Sequence, residues 1–422
     1  MTVVGIDDTD SRTRGMCTTY VAREIADALR AAGATIDRLL LVRLNPAIEY
    51  KTRGNAALAI HTDCDPERGF TVATERIDEL AETDDPNTQP GLVVAPGDPD
   101  SVPDPVVEFT ERAVQERLTL KETLDSTETA GYTHEGWSGG RGRIGALAAL
   151  GAHRAFSEWT YELIAYREPE RWGSSREVDP DAVFAAANVE YPAVWDTVDR
   201  GTGEMVCVPH TPGPILYGIR GDDPDAVRRV SDGIEGESVA HRQIFMTNQG
   251  TDAHLRDGTI ASTVDNRSYR LKGTVSSSPE TRRGGHVFFE VSGAGVRLPC
   301  VAFEPTKRFR DRVRALREGD RIIVCGEISN GTLKLEKFAV RELNRVEYRN
   351  PQCPDCGRSM ESAGAEQGYR CRKCGTNAET KAEIEIEREV ERGWYEVPPT
   401  ARRHIAKPLV RGGFDGETHP ER

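Results

Sequence analysis

Residues 2–11 read TVVGIDDTDS, a short apolar run that ends in three closely spaced carboxylates. Thr2–Ile6 carries Val3, Val4 and Ile6 and no charge, which predicts a buried strand. Asp7, Asp8 and Asp10 then stand at its C-terminal end and repel one another, so a cation or hydrogen-bond donors must share the turn. Mg²⁺ with nucleotide phosphates is one solution, because Mg²⁺ binds through one or two carboxylates and keeps its waters. A solvated acidic turn is the other. Downstream, 18–32 has helical periodicity with Val21, Ile25, Ala28 and Leu29 on one face, and Gly33 ends it. Leu39–Leu44 and Ala56–Thr62 read as further strands, and this strand–helix–strand spacing predicts an α/β sheet.

Two loops around that sheet carry chemistry. NPAIEYKTRGN, residues 45–55, follows a strand and mixes acid, base, amide and aromatic groups. Ligands bind at such strand ends in α/β proteins, although a solvated loop has the same composition. Further on come a short strand at Leu92–Ala95 and a helix over 106–120. SGGRGRIG, residues 138–145, then leads into a helix of small residues. Glycine N–H groups can cradle an anion there, and Arg141 and Arg143 can fork onto phosphate oxygens. No Gly-Lys-Ser/Thr ends the loop, so it is not a Walker A motif.

From about Ala155 the pattern changes. Strand-like runs at Trp159–Tyr166, Tyr217–Ile219 and Gln243–Thr247 alternate with helical ones from Asp181 and over 224–234. A ferredoxin-like α+β arrangement fits them. Four β runs follow, at 269–275, 286–291, 321–327 and 333–340, punctuated by Gly284-Gly285 and Asn330-Gly331. An oligonucleotide-binding (OB) barrel suits their size and charge. Cys353, Cys356, Cys371 and Cys374 form two C-x-x-C pairs, the spacing of a tetrahedral zinc site. Such a ribbon serves as a strut or as a nucleic-acid reader. Residues 380–392 are expected to form a charged helix and the last ten to be disordered. The expected units are 1–154, 155–265, 266–345, 346–411 (ribbon and charged helix) and a tail at 412–422.

Charge supports an RNA partner in spite of the net −14. Residues 1–265 hold 25 basic and 46 acidic groups, a balance of −21, whereas 266–340 hold 15 against 8, a balance of +7. With 9 Lys to 46 Arg, the acid-rich surface resembles that of proteins from salt-loving hosts. No apolar run approaches the length of a membrane span, and the chain opens without a basic region or apolar signal core, so a cytoplasmic enzyme is expected.

Taken in order, GIDDTDS (5–11), GMCTTY (15–20), NPAIEYKTRGNAAL (45–58), GGRGRIGALAALG (139–151), YELIAYR (161–167), HTPGPILYGIRG (210–221), TNQGTDAHL (247–255) and the four cysteines resemble the archaeal agmatidine synthetase family. These enzymes ligate agmatine to a minor isoleucine tRNA. The resemblance runs from residue 1 to about 411. It implies four modules: a kinase-like N-terminal domain, a ferredoxin-like domain, an OB-fold barrel and a zinc ribbon. It implies ATP-dependent attachment of agmatine to carbon two of the wobble cytidine in tRNA(Ile) with a CAU anticodon. The base oxygen is activated by phosphorylation and then displaced by the amine. On this basis Asp7, Asp8 and Asp10 would hold Mg²⁺ on ATP, and Thr18 matches the threonine that the family phosphorylates on itself. Gly139, Gly140, Arg141, Gly142, Arg143 and Gly145, with Lys51 and Asn55, would contact phosphate. His210, Asp252 and His254 are candidates for agmatine. A non-catalytic tRNA-binding adaptor and a tRNA kinase that uses no amine remain as alternatives.

Overall fold

The computed structural model describes residues 1–49, 51 and 54–422; Tyr50, Thr52 and Arg53 of the 45–58 string lie outside the described residues. The first half contains β1 (Thr2–Asp7), α1 (Thr18–Ala31), β2 (Ile36–Arg43), β3 (Ala56–Thr62) and α2 (Pro66–Leu80). It continues through β4 (Gly91–Pro96), α3 (Asp104–Gln115), α4 (Leu120–Ala130), β5 (Thr133–Gly136) and α5 (Arg143–Ala155). β1 and β2 are parallel, as a strand–helix–strand crossover requires, but β3 lies between them and is antiparallel to both. The sheet is buried on both faces, which is why β1 reads as a continuous apolar run. Val3 packs with Leu147 and Leu150 of α5 and Phe109 of α3 on one side. Val4 and Ile6 pack with Val21, Ile25 and Leu29 of α1 on the other.

The expected helix over 106–120 is two helices. α3 stops at Gln115, and α4 restarts from a Thr119–Glu122 capping box, a sequence signal that the longer reading passes over.

The next segment adds β6 (Thr160–Arg167), α6 (Pro180–Val189), β7 (Val194–Trp195), a small hairpin of β8 (Val198–Asp199) and β9 (Glu204–Met205), β10 (Ile215–Gly221), α7 (Pro224–Asp232) and β11 (Val239–Thr247). Its β-α-β-β-α-β path gives the order β11-β6-β10-β7, antiparallel throughout. The two halves share one nine-stranded sheet, because β11 pairs in parallel with β2 at Met246–Leu40 and Thr247–Leu41.

A closed barrel follows. β12 (Leu255–Gly258) flanks β13 (Ser268–Val275), and β14 (Glu280–Thr281) flanks β15 (Val287–Gly293). With β16 (Val296–Ala302), a short helix α8 (Phe309–Arg314), β17 (Arg321–Ser329) and β18 (Thr332–Glu342), the circuit β13-β15-β16-β18-β17-β13 closes on five strands. β16 is absent from the sequence reading because Pro299 interrupts its run.

Two expectations fail beyond the barrel. No helix spans 380–392; Ala382–Glu385 is instead a strand antiparallel to Val346–Arg349. Glu383, Ile384, Glu385 and Ile386 alternate with period two, which favours a strand over a helix. The tail at 412–422 is packed rather than disordered. Thr418–His419 pairs with Trp394–Tyr395, Phe414 lies 5.4 Å from the Trp394 ring, and Glu421 is ion-paired to Arg308. No helix among the described residues is long and apolar enough to cross a membrane.

Candidate active site

The C-terminal end of β1 meets the N-terminus of α5 at close range. A methyl group on Gly145 would stand 2.0 Å from Asp7 Oδ2, and one on Gly142 would stand 2.6 Å from the Asp7 carbonyl oxygen. Gly142 is therefore required by backbone approach, as is Gly5, whose Cβ would lie 2.2 Å from Ala146 O, whereas Gly145 makes room for the Asp7 side chain. Asp8 adopts a left-handed φ of 61°. Its N–H donates to Asp7 Oδ1 at 2.7 Å, and its own Oδ2 accepts from Arg141 Nη2 at 2.8 Å and from the Gln89 N–H at 3.3 Å. Burial pushes the Asp8 carboxyl up to about 6, with Arg141 opposing, and burial together with Asp8 pushes Asp7 well above the carboxylate range. Thr18 opens α1 and is buried; its Oγ1 accepts from Thr9 Oγ1 at 3.1 Å and the Thr9 N–H at 3.4 Å.

These groups line a cavity of about 1080 Å³ between the two halves of the sheet. Asp7, Asp8, Asp10, Thr18, Lys51, Asn55, Arg141, Gly142, Gly145 and His210 all reach it. Asn55 braces its loop by donating from Nδ2 to Asn45 O at 2.8 Å. Lys51 donates to Pro46 O, and burial with Arg403 nearby lowers its ammonium to about 8.

Other candidates lie elsewhere. Gly139 and Gly140 form a turn behind the wall, with φ of 107° and 64°. Arg143 folds back on them, donating from Nε to Gly140 O at 3.0 Å and from Nη2 to Gly139 O at 3.4 Å. Asp252 and His254 do not join His210. Asp252 is held 2.7 Å from Lys337 Nζ, and His254 Nε2 lies 2.8 Å from Glu336 Oε1, both in buried contacts against the barrel. A short polar run of this kind does not say on which side of a domain seam its side chains fall.

Among the cavity residues that sequence reasoning misses are Arg43, Glu162, Arg220 and His404. Glu162 Oε2 accepts from Arg43 Nη2 at 3.3 Å and from Gln249 Nε2, and Oε1 accepts from Arg220 Nε at 3.3 Å. The signal is present, since Glu162 is a lone acid inside the buried strand TYELIAYR.

The ribbon carries the second site. The thiol sulfurs of Cys353, Cys356, Cys371 and Cys374 all lie within 4.8 Å of one another, with Cys356 and Cys371 3.7 Å apart. Four sulfurs about 2.3 Å from a tetrahedral Zn²⁺ stand about 3.8 Å apart, so the donor set fits structural zinc. Gly357 and Gly375 close the two turns at φ 71° and 73°.

Comparison with known proteins agrees along the chain. Family models described as the TiaS TCKD domain, the TiaS FLD domain and the TiaS C-terminal zinc ribbon domain match residues 3–64, 140–254 and 350–390. The isoleucine-tRNA 2-agmatinylcytidine synthetase TiaS of Haloquadratum walsbyi is 54% identical over 462 residues, covering 100% of both chains. That of Methanosarcina mazei is 46% identical and covers 97% of each. A crystal structure of TiaS in complex with its isoleucine tRNA and ATP superposes with a TM-score of 0.91 at 42% identity, over 100% of this chain and 99% of that one. A crystal structure of TiaS with the same tRNA, AMPCPP and agmatine superposes at 0.88 with 39% identity, over 100% and 99%. The chain therefore belongs to the TiaS family of isoleucine-tRNA 2-agmatinylcytidine synthetases.

Proposed function

We propose that this chain is an ATP-dependent ligase that attaches agmatine to carbon two of the wobble cytidine of tRNA(Ile) with a CAU anticodon. The observation that carries the reading is the convergence of Asp7, Asp8, Asp10, Thr18 and Arg141 in one cavity, in a chain that matches TiaS relatives end to end. We read residues 1–154 as the kinase-like module, 155–265 as ferredoxin-like, 266–345 as the OB-fold and 346–411 as the zinc ribbon. A cytoplasmic location goes with this function.

The chemistry follows from the leaving group. Oxygen on carbon two of cytosine leaves poorly and phosphate leaves well, so phosphorylating that oxygen prepares the carbon for an amine. Phosphoryl transfer needs alignment and charge neutralisation more than covalent help. Asp7 and Asp8 fit Mg²⁺, because their carboxyls are raised by burial and by neighbouring carboxylates, Asp8 for Asp7 and Asp10 for both, which a cation reverses. Mg²⁺ there would neutralise charge on the nucleotide phosphates. Arg141 would pass from Asp8 to phosphate oxygens, and Lys51 and Asn55 would contact phosphate from the facing loop. Thr18 presents its hydroxyl at the positive end of α1, where a phosphate is stabilised, which suits autophosphorylation. Agmatine must attack as a neutral amine, and His210 is the agmatine candidate that reaches this cavity.

The test is mass spectrometry of nucleosides from a tRNA(Ile) CAU transcript incubated with protein, ATP, Mg²⁺ and agmatine at low and high salt. A cytidine heavier by one agmatine less one water, dependent on every component, supports the reading. Phosphate added and retained makes the protein a tRNA kinase, and an unmodified cytidine at every salt refutes ligation.

A further inference from the structure

Two arginines on the wall built by β2, β6 and β10 have more donors than the protein uses. Arg43 and Arg220 have side chains 12% and 10% exposed, and they share one carboxylate, Glu162, at 5%. Arg43 spends Nη2 on Glu162 and Nη1 on Gly54 O at 3.2 Å, while its Nε is buried without a partner. Arg220 spends only Nε. Among the described residues nothing accepts from its two terminal nitrogens, although the residue lines the cavity.

The next carboxylate, Asp196, is held by Arg402, which also pairs with Glu396 at 2.9 Å. His404 adds no charge, since burial and the two arginines hold its imidazole well below its ordinary range and therefore neutral. Arg402 takes both Asp196 and Glu396, so at the cavity face the two guanidiniums share the single carboxylate they contact. Buried donors are costly unless paired, so the unused nitrogens of Arg43 and Arg220 suit the oxygens of an anion. Planar guanidinium forks match the oxygens of a phosphate, and the same charge repels a dication such as agmatine.

We propose that Arg43 and Arg220, braced by Glu162, form a receptor for one phosphate group inside the reaction cavity. The phosphate comes either from the nucleotide or from the RNA backbone beside the target base. This rests on the ligase reading for its substrates, but its test is a binding measurement and needs no turnover.

The experiment uses the full-length, zinc-loaded protein and measures binding of inorganic phosphate, ATP and tRNA(Ile) CAU transcript separately. Arg220→Gln should weaken the relevant ligand by about 10-fold or more, the worth of a charge-assisted contact, and Arg220→Lys by less. Glu162→Gln should tighten phosphate binding, because it removes the carboxylate that both arginines contact; a merely structural brace would not do this. Losses for inorganic phosphate and ATP assign the site to the nucleotide. A loss for tRNA alone assigns it to the RNA backbone. Wild-type affinity for all three ligands in an Arg220→Gln protein with wild-type Tm overturns the proposal, whether or not the Glu162 variant folds. If agmatine ligation fails while the phosphate arms behave as expected, the ligase reading falls and the receptor stands.

Discussion

Gly145→Ala tests how the cavity is built. On helix propensity alone the change in α5 should stabilise by about 1 kcal/mol. The structure reverses that expectation, because the new methyl would stand 2.0 Å from Asp7 Oδ2 and 2.7 Å from its Cγ. Carbon–oxygen contacts settle near 3.3 Å, so the carboxylate must retreat by about 1.3 Å. Neither backbone can give way instead, since Gly142 already abuts Asp7 O and Gly5 abuts Ala146 O. Overpacking of this kind costs about 1–3 kcal/mol, which the propensity gain partly offsets. Stability should therefore fall by no more than about 2 kcal/mol. Activity should fall much further, by about 100-fold, the usual effect of an ångström-scale misplacement of a reacting group. The assay pairs agmatidine formation with thermal melting and tRNA affinity. A folded Gly145→Ala protein with wild-type turnover would refute the placement of Asp7 in the reaction.

Two further outcomes separate chemistry from architecture. The raised carboxyl of Asp8, near 6, penalises the metal-free fold above that pH and spares it below the unfolded value of about 3.9, and Asp7, raised in the same direction, adds to the penalty once it ionises. Mg²⁺ relieves the penalty only where the carboxyls are ionised, so the gain in Tm on adding Mg²⁺ should be present at pH 8 and fade as pH falls below about 6; a gain flat across this range removes Mg²⁺ from Asp7 and Asp8. Asp252→Ala leaves Lys337 as a buried unpaired ammonium, with a side chain 2% exposed, at a cost of about 3–5 kcal/mol. It should lower Tm strongly and leave the KM for agmatine unchanged, and a raised KM with normal Tm would return Asp252 to the agmatine pocket.

What could be read from the sequence depended on whether the signal was local. β1, α1, β2 and β3 were legible because apolar periodicity and a terminating Gly33 are local facts. The four cysteines were legible because zinc imposes its spacing on the chain. The insertion of β3 between β1 and β2 was not legible, since strand order is a long-range property. The glycine loop stands out in the sequence, but the structure gives its glycines a packing reason that the sequence does not show. Gly142 and Gly145 are small so that α5 can abut Asp7, and of its two arginines only Arg141 faces the carboxylates. The run 247–255 does not by itself separate a site from a brace, because buried ion pairs and binding sites draw on the same residue types. The barrel supplies the partners of Asp252 and His254, Lys337 and Glu336, which the run does not show. The tail misled for a related reason: its composition is polar, yet Phe414 and Glu421 find partners on Trp394 and Arg308.

The seam between β2 and β11 explains why the cavity draws on both halves. β11 meets β2 for only two residue pairs, ending at Thr247–Leu41. Beyond them, buried Asn248 takes over the role of a strand. Its Oδ1 accepts from the Arg43 N–H at 2.7 Å, and its Nδ2 donates to Arg43 O at 3.0 Å. The side-chain amide thus satisfies both backbone groups of the residue whose guanidinium reaches Glu162. Because strand faces alternate with period two, a slip of one residue here would turn the Arg43 side chain to the opposite face of the sheet. It would leave Glu162 without one of its guanidinium partners. The same contact that joins the sheets therefore fixes the charge on the cavity wall, while Asp7, Asp8 and Thr18 are fixed by packing within the first half alone. Each half supplies a charged wall that the other lacks, and neither half by itself encloses the space between them.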